Sequence, residues 1–352
     1  MLKERNTNTA LTAILLALLS AFLFGVATPF SKWLLNGLSP LQLAGFLYLG
    51  AAMAVLPSAI RQPISLIPKN LDARNRFSLF GAIIFGGILG PVLLLLGLNN
   101  ADSTAVSLWL NLEFVATAFV GAILFKEKIG KLSWLGIFIA SIASVLISFE
   151  QGVSAQWAGV LLLLACFCWG VDNHFTSQID ALTPSQSTFW KGLVAGSVSL
   201  SLGVILYPFS ISASLVIASL VLGALSYGIS IVLYIRASHG LGATKAQVIF
   251  SSSTFFGVLL SILFLGEEFT VSYGLASILF LVAIGLQLIG GHSHKHNHYA
   301  ITHTHFHRHD DGHHSHQHDT PSRLLGHVHV HTHQGVEHSH PHMPDIHHKH
   351  EH

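Results

Sequence analysis

The stretch "LWLNLEFVATAFVGAILFKEKI" (108–129) decides the fold, because a second stretch, "VIFSSSTFFGVLLSILFLGEEF" (248–269), lies over it. Each contains an apolar run near the ~20 residues with which an α-helix crosses a bilayer. Each closes on an acidic residue, Glu127 meeting Glu267. Two earlier pairs keep the same order at nearly the same offset. They are "FLFGVATPFS" (22–31) with "FCWGVDNHFT" (167–176), and "GLSPLQ" (37–42) with "ALTPSQ" (181–186). Single matches of this kind are weak, but three aligned pairs in one order describe an internal repeat.

The rest of the chain supports the same reading. It has 352 residues, 51% hydrophobic and 9% charged, where soluble domains carry about 25% charged residues. The net charge of +1 averages a nearly uncharged body and a polar tail. Ten segments have the length and apolarity of a span: 10–30, 40–60, 77–98, 103–125, 132–149, 155–178, 185–207, 213–236, 243–265 and 270–290. The apolar run behind "MLKERNTNTA" has no clear cleavage site, so it is read as an uncleaved first span. The fold class expected is an all-α membrane protein with ten helices in two five-helix repeats, 1–150 and 151–291, followed by a tail, 292–352.

An odd number of helices per repeat inverts the second repeat relative to the first, and the charges agree. Lys3, Arg5, Arg61, Lys69, Arg74, Arg76, Lys126, Lys128, Lys131, Arg236 and Lys245 fall at one set of ends. Lys32, Asp102, Glu150, Glu267 and Glu268 fall at the other. The excess of Lys/Arg marks the cytoplasmic side, so both termini are expected there, in a bacterial inner membrane. Inverted repeats are common in transporters, with the substrate held near the midplane between halves.

Two five-helix repeats, each with an acidic residue closing its fourth helix ("FKEKI", "LGEEF"), resemble the drug/metabolite transporter superfamily and its EamA-type members. "LNLEFVATAF", "CWGVDNHFT" and "KGLVAGS" further resemble a bacterial EamA branch with a histidine-rich C-terminal tail. The resemblance covers roughly residues 10–290. It implies a transporter from a superfamily that exports amino acids, nucleotide derivatives, drugs and other metabolites. A nickel/cobalt-resistance relative among its members keeps metal open as cargo.

An ionisable group inside the bilayer costs at least ~2.5 kcal/mol by insertion scales, so it normally faces a cavity or a partner. Glu113 lies roughly 15 Å into the fourth helix, near the midplane. Its repeat mate is Ser253, so the charge belongs to one half only. Glu113 is either a proton carrier or a carboxylate locked to a structural partner; Asn111 is read as satisfying a neighbouring helix. Asp172 and His174 lie near the cytoplasmic end of the sixth helix, and Lys191 enters the seventh from the same side. An Asp172–Lys191 pair is expected as a substrate-gated latch or a static brace, unless Lys191 snorkels to the surface. Cys168, Asp172 and His174 are all of metal-ligand type, but a regular helix does not bring them together. Cys166 and Cys168 point apart on a helix and read as small apolar packing. His239 reads as an interfacial histidine. Gly25 and Gly170 occupy matching positions and suit close helix packing, while Pro29, Pro57 and Pro91 kink or end helices.

The other 23 histidines occupy the tail. They are His292, His294, His296 and His298; His303, His305, His307 and His309; His313, His314, His316 and His318; His327, His329, His331 and His333; His338, His340 and His342; and His347, His348, His350 and His352. The H-x-H pattern puts alternate imidazoles on one face of an extended chain, where two can meet one ion. Neutral imidazole suits Ni, Co, Zn and Cu. The tail lacks the apolar content for a core, so it is expected to be disordered without metal, with "HVHVHTH" able to form a short strand, but not a domain, when metal is bound.

No nucleotide-binding loop or phosphorylation-type motif occurs, so neither direct ATP use nor enzyme activity is expected. Together these features suggest a secondary exporter, proton-coupled through Glu113, that needs no cofactor. Its expected partners are the lipid bilayer and a metal-ion or small-molecule substrate, with no nucleic acid; nothing in the sequence sets the oligomeric state. A membrane-anchored metal buffer or sensor is the reading without transport.

Overall fold

The computed structural model describes residues 2–61, 66, 71–124, 130–179, 181–208, 212–241, 246 and 249–289, and in the tail 293–297, 301–307, 327–333 and 337–341. Glu127, Lys69, Lys126, Lys128, Lys245 and the tail histidines outside those four stretches lie beyond the described residues.

Among the described residues, eight helices are long and apolar enough to cross a membrane. They are α1 (Leu11–Leu34), α2 (Pro40–Ile60), α3 (Ala73–Asn99), α4 (Ser103–Ile123), α5 (Lys131–Gln151), α6 (Gln156–Ser177), α7 (Pro184–Leu206) and α8 (Ala213–Ala237). Two shorter apolar helices, α9 (Ser253–Leu265) and α10 (Val271–Leu286), complete the ten expected. The first span runs further than its sequence suggested, through a turn at Val26 to Leu34. Pro57 lies inside α2, and Pro91 lies inside α3 just past its π-helical stretch, where it supplies no backbone N–H.

Local chemistry repeats as the sequence does. Helix α2 opens on a capping box, Ser39 with Gln42, and α7 opens on its counterpart, Thr183 with Gln186. In each box the side chains satisfy backbone N–H groups that the helix start leaves open. A π-helical stretch interrupts α3 at Ala82–Leu89, and another interrupts α8 at Ala224–Ile229.

Side-chain contacts show the inversion directly. Helices α2 and α7 run antiparallel, with Gln42 against Gly203, Gly45 against Leu200, Tyr48 against Gly192 and Ser58 against Ser185. Helices α5 and α10 also run antiparallel, Gly136 meeting Ala283 and Gln151 meeting Tyr273. A helix and its repeat mate can pack antiparallel across the pseudo-twofold axis only if the second repeat is upside down. Off that axis the contacts are reciprocal. Helix α1 packs on α8 through Ser20–Ser230 and Ser226–Leu23, as α6 packs on α3 through Phe175–Gly81 and Leu162–Gly97. Gly25 brings α1 against Ser253 and Gly257 of α9, and its mate Gly170 brings α6 against Ala116 and Thr117 of α4.

Trp109, Tyr273 and Phe280 fill the interior, while Phe149, Trp157 and Ile205 are more than two-thirds exposed on outer faces. Such faces suit hydrocarbon rather than water. The chain is a multi-pass membrane protein.

In the tail, β1 (Ser293–Asn297) pairs antiparallel with β4 (Glu337–Pro341), and β2 (Ile301–His307) with β3 (His327–His333). The segment "HVHVHTH", read as able to form a strand with metal, forms β3. Two-stranded ribbons are marginal in water, in keeping with a tail that has no core of its own.

Candidate functional site

Helix α4 is broken. Its first part ends at Trp109 and its second begins at Leu112, with a turn at Leu110–Asn111. Asn111 N–H bonds the carbonyl of Leu108 and its side-chain amide donates to the same carbonyl at 3.0 Å, closing the first part. Before α9 the chain turns in the same way at Ser251–Ser252, where Ser252 N–H and Oγ both donate to Ile249 O. The two turns meet, because Thr254 Oγ1 donates to Asn111 Oδ1 at 3.2 Å. The reading of Asn111 as satisfying a neighbouring helix describes this contact. Interrupted helices at the repeat interface are where transporters of this architecture build substrate sites.

Glu113 sits in the first turn after the break. Its Oε1 accepts from Asn173 Nδ2 of α6 at 3.2 Å, and the same amide donates to Thr117 Oγ1 at 3.4 Å. Among the described residues no Lys or Arg forms an ion pair with Glu113. Glu113 is partly exposed and Asn173 exposed.

Asp172 and Lys191 are brought together. Lys191 Nζ donates to both Asp172 oxygens at 2.8 and 2.6 Å, and Thr176 Oγ1 adds a bond at 2.9 Å. The pair rests on the π-helical stretch of α3. A Cβ at Gly86 would overlap the Asp172 carboxylate, and one at Gly87 would press on Ala195 and the Lys191 stem. Tyr48 Oη donates to the Gly86 carbonyl at 2.6 Å, satisfying backbone that the π turn leaves open.

His174 and the cysteines do not join this cluster. Helix α6 belongs to a regular helix from Val153 to Ser177, so it has no unwound turn to gather Cys168, Asp172 and His174. His174 Nδ1 bonds the Gly170 carbonyl of its own helix at 2.8 Å, and Cys166 is buried beside Trp109 O. Among the described residues no three His, Cys, Asp or Glu groups converge as a metal site would need.

A second polar cluster lies at the opposite end. The Glu267 carboxylate accepts from Ser103 N–H at 2.8 Å and Thr104 N–H at 2.7 Å, capping α4 from across the repeat interface. Ser261 Oγ donates to Ser103 Oγ at 2.8 Å, and Lys32 Nζ donates to Leu98 O and Ala101 O at the end of α3. The sequence singled out Glu267 as a closing acid but held no sign of its partners. Charge-assisted hydrogen bonds contribute about 1.5–3 kcal/mol each. Glu267→Ala should therefore raise amide hydrogen exchange at Ser103 and Thr104 at least about tenfold. The same change at exposed Glu268 should leave it unaltered, and equal effects at both positions would refute the cap.

Away from the spans, Asp72 caps the start of the α3 helix and accepts from Asn75 N–H and from its side-chain amide at 2.6 Å, which holds its carboxyl below the usual range.

Comparison with known proteins gives relatives at family level. The sequence model of the EamA-like transporter family matches residues 11–149 and again 156–289. An uncharacterized transporter of Methanothermobacter thermautotrophicus is 21% identical over 281 residues, 74% of this chain and 81% of its own. The uncharacterized inner membrane transporter YicL of Salmonella typhimurium is 24% identical over 62% of this chain and 74% of its own. A solved crystal structure, 14% identical, superposes with a TM-score of 0.55 over 80% of this chain and 96% of its own, which speaks for a shared fold.

Proposed function

The chain belongs to the EamA-like transporter family, and from that premise we propose that it is a proton-coupled exporter of the bacterial inner membrane. Its units are the repeats 1–150 and 151–291 and the tail 292–352, with both termini cytoplasmic. Substrate binds between the repeats, beside the broken helices α4 and α9.

One observation carries the coupling. Glu113 has a neutral amide for its partner and forms no ion pair with a Lys or Arg among the described residues. A carboxylate at the depth of a membrane needs compensation for its charge. A proton supplies that compensation when the site is empty, and the cargo displaces the proton. Asp172 and Lys191 neutralise each other nearby and brace or gate the cytoplasmic half. His174 stays a pathway-side residue of α6.

The histidine tail favours a second reading, in which the cargo is Ni, Co or Zn. Against it stands the lack of convergent metal ligands within the described membrane body. We assign the tail to metal binding at the cytoplasmic mouth, where clustered imidazoles raise the local ion concentration or report it. Truncation before His292 should leave export intact at saturating substrate. It should abolish high-affinity binding of Ni and Zn to the purified protein. In the full chain that binding should weaken as pH falls through about 6.5, because protons compete for imidazole. Loss of flux from a folded truncated protein would move the essential site into the tail.

The test of function is acidification of everted membrane vesicles, challenged with Ni, Co, Zn and Cu salts, amino acids and amines. A cargo should dissipate the pH gradient only where the protein is present. Uptake without proton movement would overturn the coupling. Binding without uptake of anything would leave a membrane-anchored metal buffer or sensor.

A further inference from the structure

We propose that the histidine tail is one metal-closed hairpin, in which each ion is shared by histidines from both arms. The proposal rests on the assignment of the tail to metal binding and deepens it. It adds which histidines share an ion and which metals they take.

Strand register is the first ground. Strands β1 and β4 pair with His294 opposite His340 and His296 opposite His338. Strands β2 and β3 pair with His303 opposite His331, His305 opposite His329 and His307 opposite His327. Among the strand histidines only His333 stands opposite a different residue, Ile301. Alternate positions of a strand share a face, and so do directly opposed positions of an antiparallel pair. Each ribbon therefore gathers its histidines on one face. The other face of β2–β3 sets Thr302 against Thr332, Thr304 against Val330 and Phe306 against Val328. Such β-branched and aromatic pairs favour a ladder in their own right, so one face sets the register that the other uses. Both ribbons keep a common register, because the gap 298–300 between β1 and β2 equals the gap 334–336 between β3 and β4. The arms are thus 293–307 and 327–341, joined through 308–326.

Distance and ligand chemistry are the second ground. Opposed positions of an antiparallel pair lie about 4.5–5.5 Å apart, whereas alternate positions of one strand lie roughly 6–7 Å apart. The nearer partner of a strand histidine is therefore on the other arm, not two residues along its own. Two neighbouring rungs offer four histidines, the ligand number of a tetrahedral site. The carboxylate of the strands, Glu337, stands opposite Asn297 on the face without histidines. An all-imidazole face suits Zn, Ni and Cu, and does not suit Mg or Ca, which take oxygen ligands. An ion held by both arms also offsets the entropy of closing the long connection between them. It supplies what a two-stranded ribbon lacks in water.

The test uses the purified full-length protein with Zn and Ni. It reads metal bound at equilibrium together with amide hydrogen exchange in the tail. Asn replaces histidine at 303, 305 and 307 in one variant, at 327, 329 and 331 in a second, and at all six positions in a third. The helical body contributes none of these residues, so no variant threatens its fold. We expect the two single-arm variants to lose the same ions and the combined variant to lose no more. Zn should slow exchange at 301–307 and 327–333 together by at least about tenfold. Either single-arm variant should abolish that slowing in both arms, while replacing His313, His314 and His316 should leave it in place. Mg and Ca should neither bind nor protect. Losses that add between the arms, or protection that survives in one arm after substitution of the other, would overturn the shared sites and leave a tail that binds metal locally. Mg or Ca acting as Zn does would overturn the metal class. Binding of neither Zn nor Ni by the full-length protein would overturn the metal-binding tail itself.

Discussion

Glu113→Gln should insert and fold normally, yet reduce proton-coupled export at least about 100-fold. Glutamine keeps the length of the side chain and can still accept from Asn173, whose amide meets Glu113 Oε1 at 3.2 Å. It removes the need to compensate a carboxylate in the bilayer, so expression and melting temperature should hold or rise. What it cannot do is bind and release a proton. Glu113→Asp keeps the titrating group but sets it about one methylene back, so activity should fall only several-fold. The measurement is substrate-dependent collapse of the pH gradient in everted vesicles, set against protein amount. Full proton-driven activity in the Gln variant would remove Glu113 from the mechanism.

The second large effect concerns Asp172 and Lys191. Asp172 is 7% exposed and receives two bonds from Lys191 and one from Thr176. Removing one partner strands the other as a buried charge, which costs about 3–5 kcal/mol. Asp172→Asn and Lys191→Met should each lower the detergent melting temperature markedly. The double variant should be more stable than the sum of the two losses allows, because no charge is left stranded. Gly86→Ala should reach the same instability by a steric route, since its Cβ would overlap the Asp172 carboxylate. Transport then separates brace from latch: a stable but slow double variant shows a gating role, and a stable, fully active one shows a static brace. Strict additivity of the two single losses would mean the pair is not coupled.

Much of this was legible in the chain itself. Ten apolar segments, the aligned stretches at 108–129 and 248–269, and the Lys/Arg asymmetry announced ten helices in two inverted repeats. These features are local, because a helix satisfies its own backbone in hydrocarbon and needs only a sufficient apolar run to form. The rarity of charge inside the spans likewise drew attention to Glu113, Asp172 and Lys191. Depth and shared side made the Asp172–Lys191 pair a geometric expectation.

Other features took form only in the tertiary structure. The breaks at Leu110–Asn111 and Ser251–Ser252 had a faint trace in Asn111 and in the polar run "SSST" (251–254), but neither composition breaks a helix on its own. The π-helical stretch that seats Asp172 on Gly86 has no short sequence signature, since it arises from packing between α3, α6 and α7. Glu267 reaches the start of α4 from 164 and 163 residues away. Apolar patterning tells a residue that it lies in a span, but not which neighbour it meets there. Lipid tails are as apolar as the side chains, so burial does not select the face, and close packing and polar contacts between helices decide it instead.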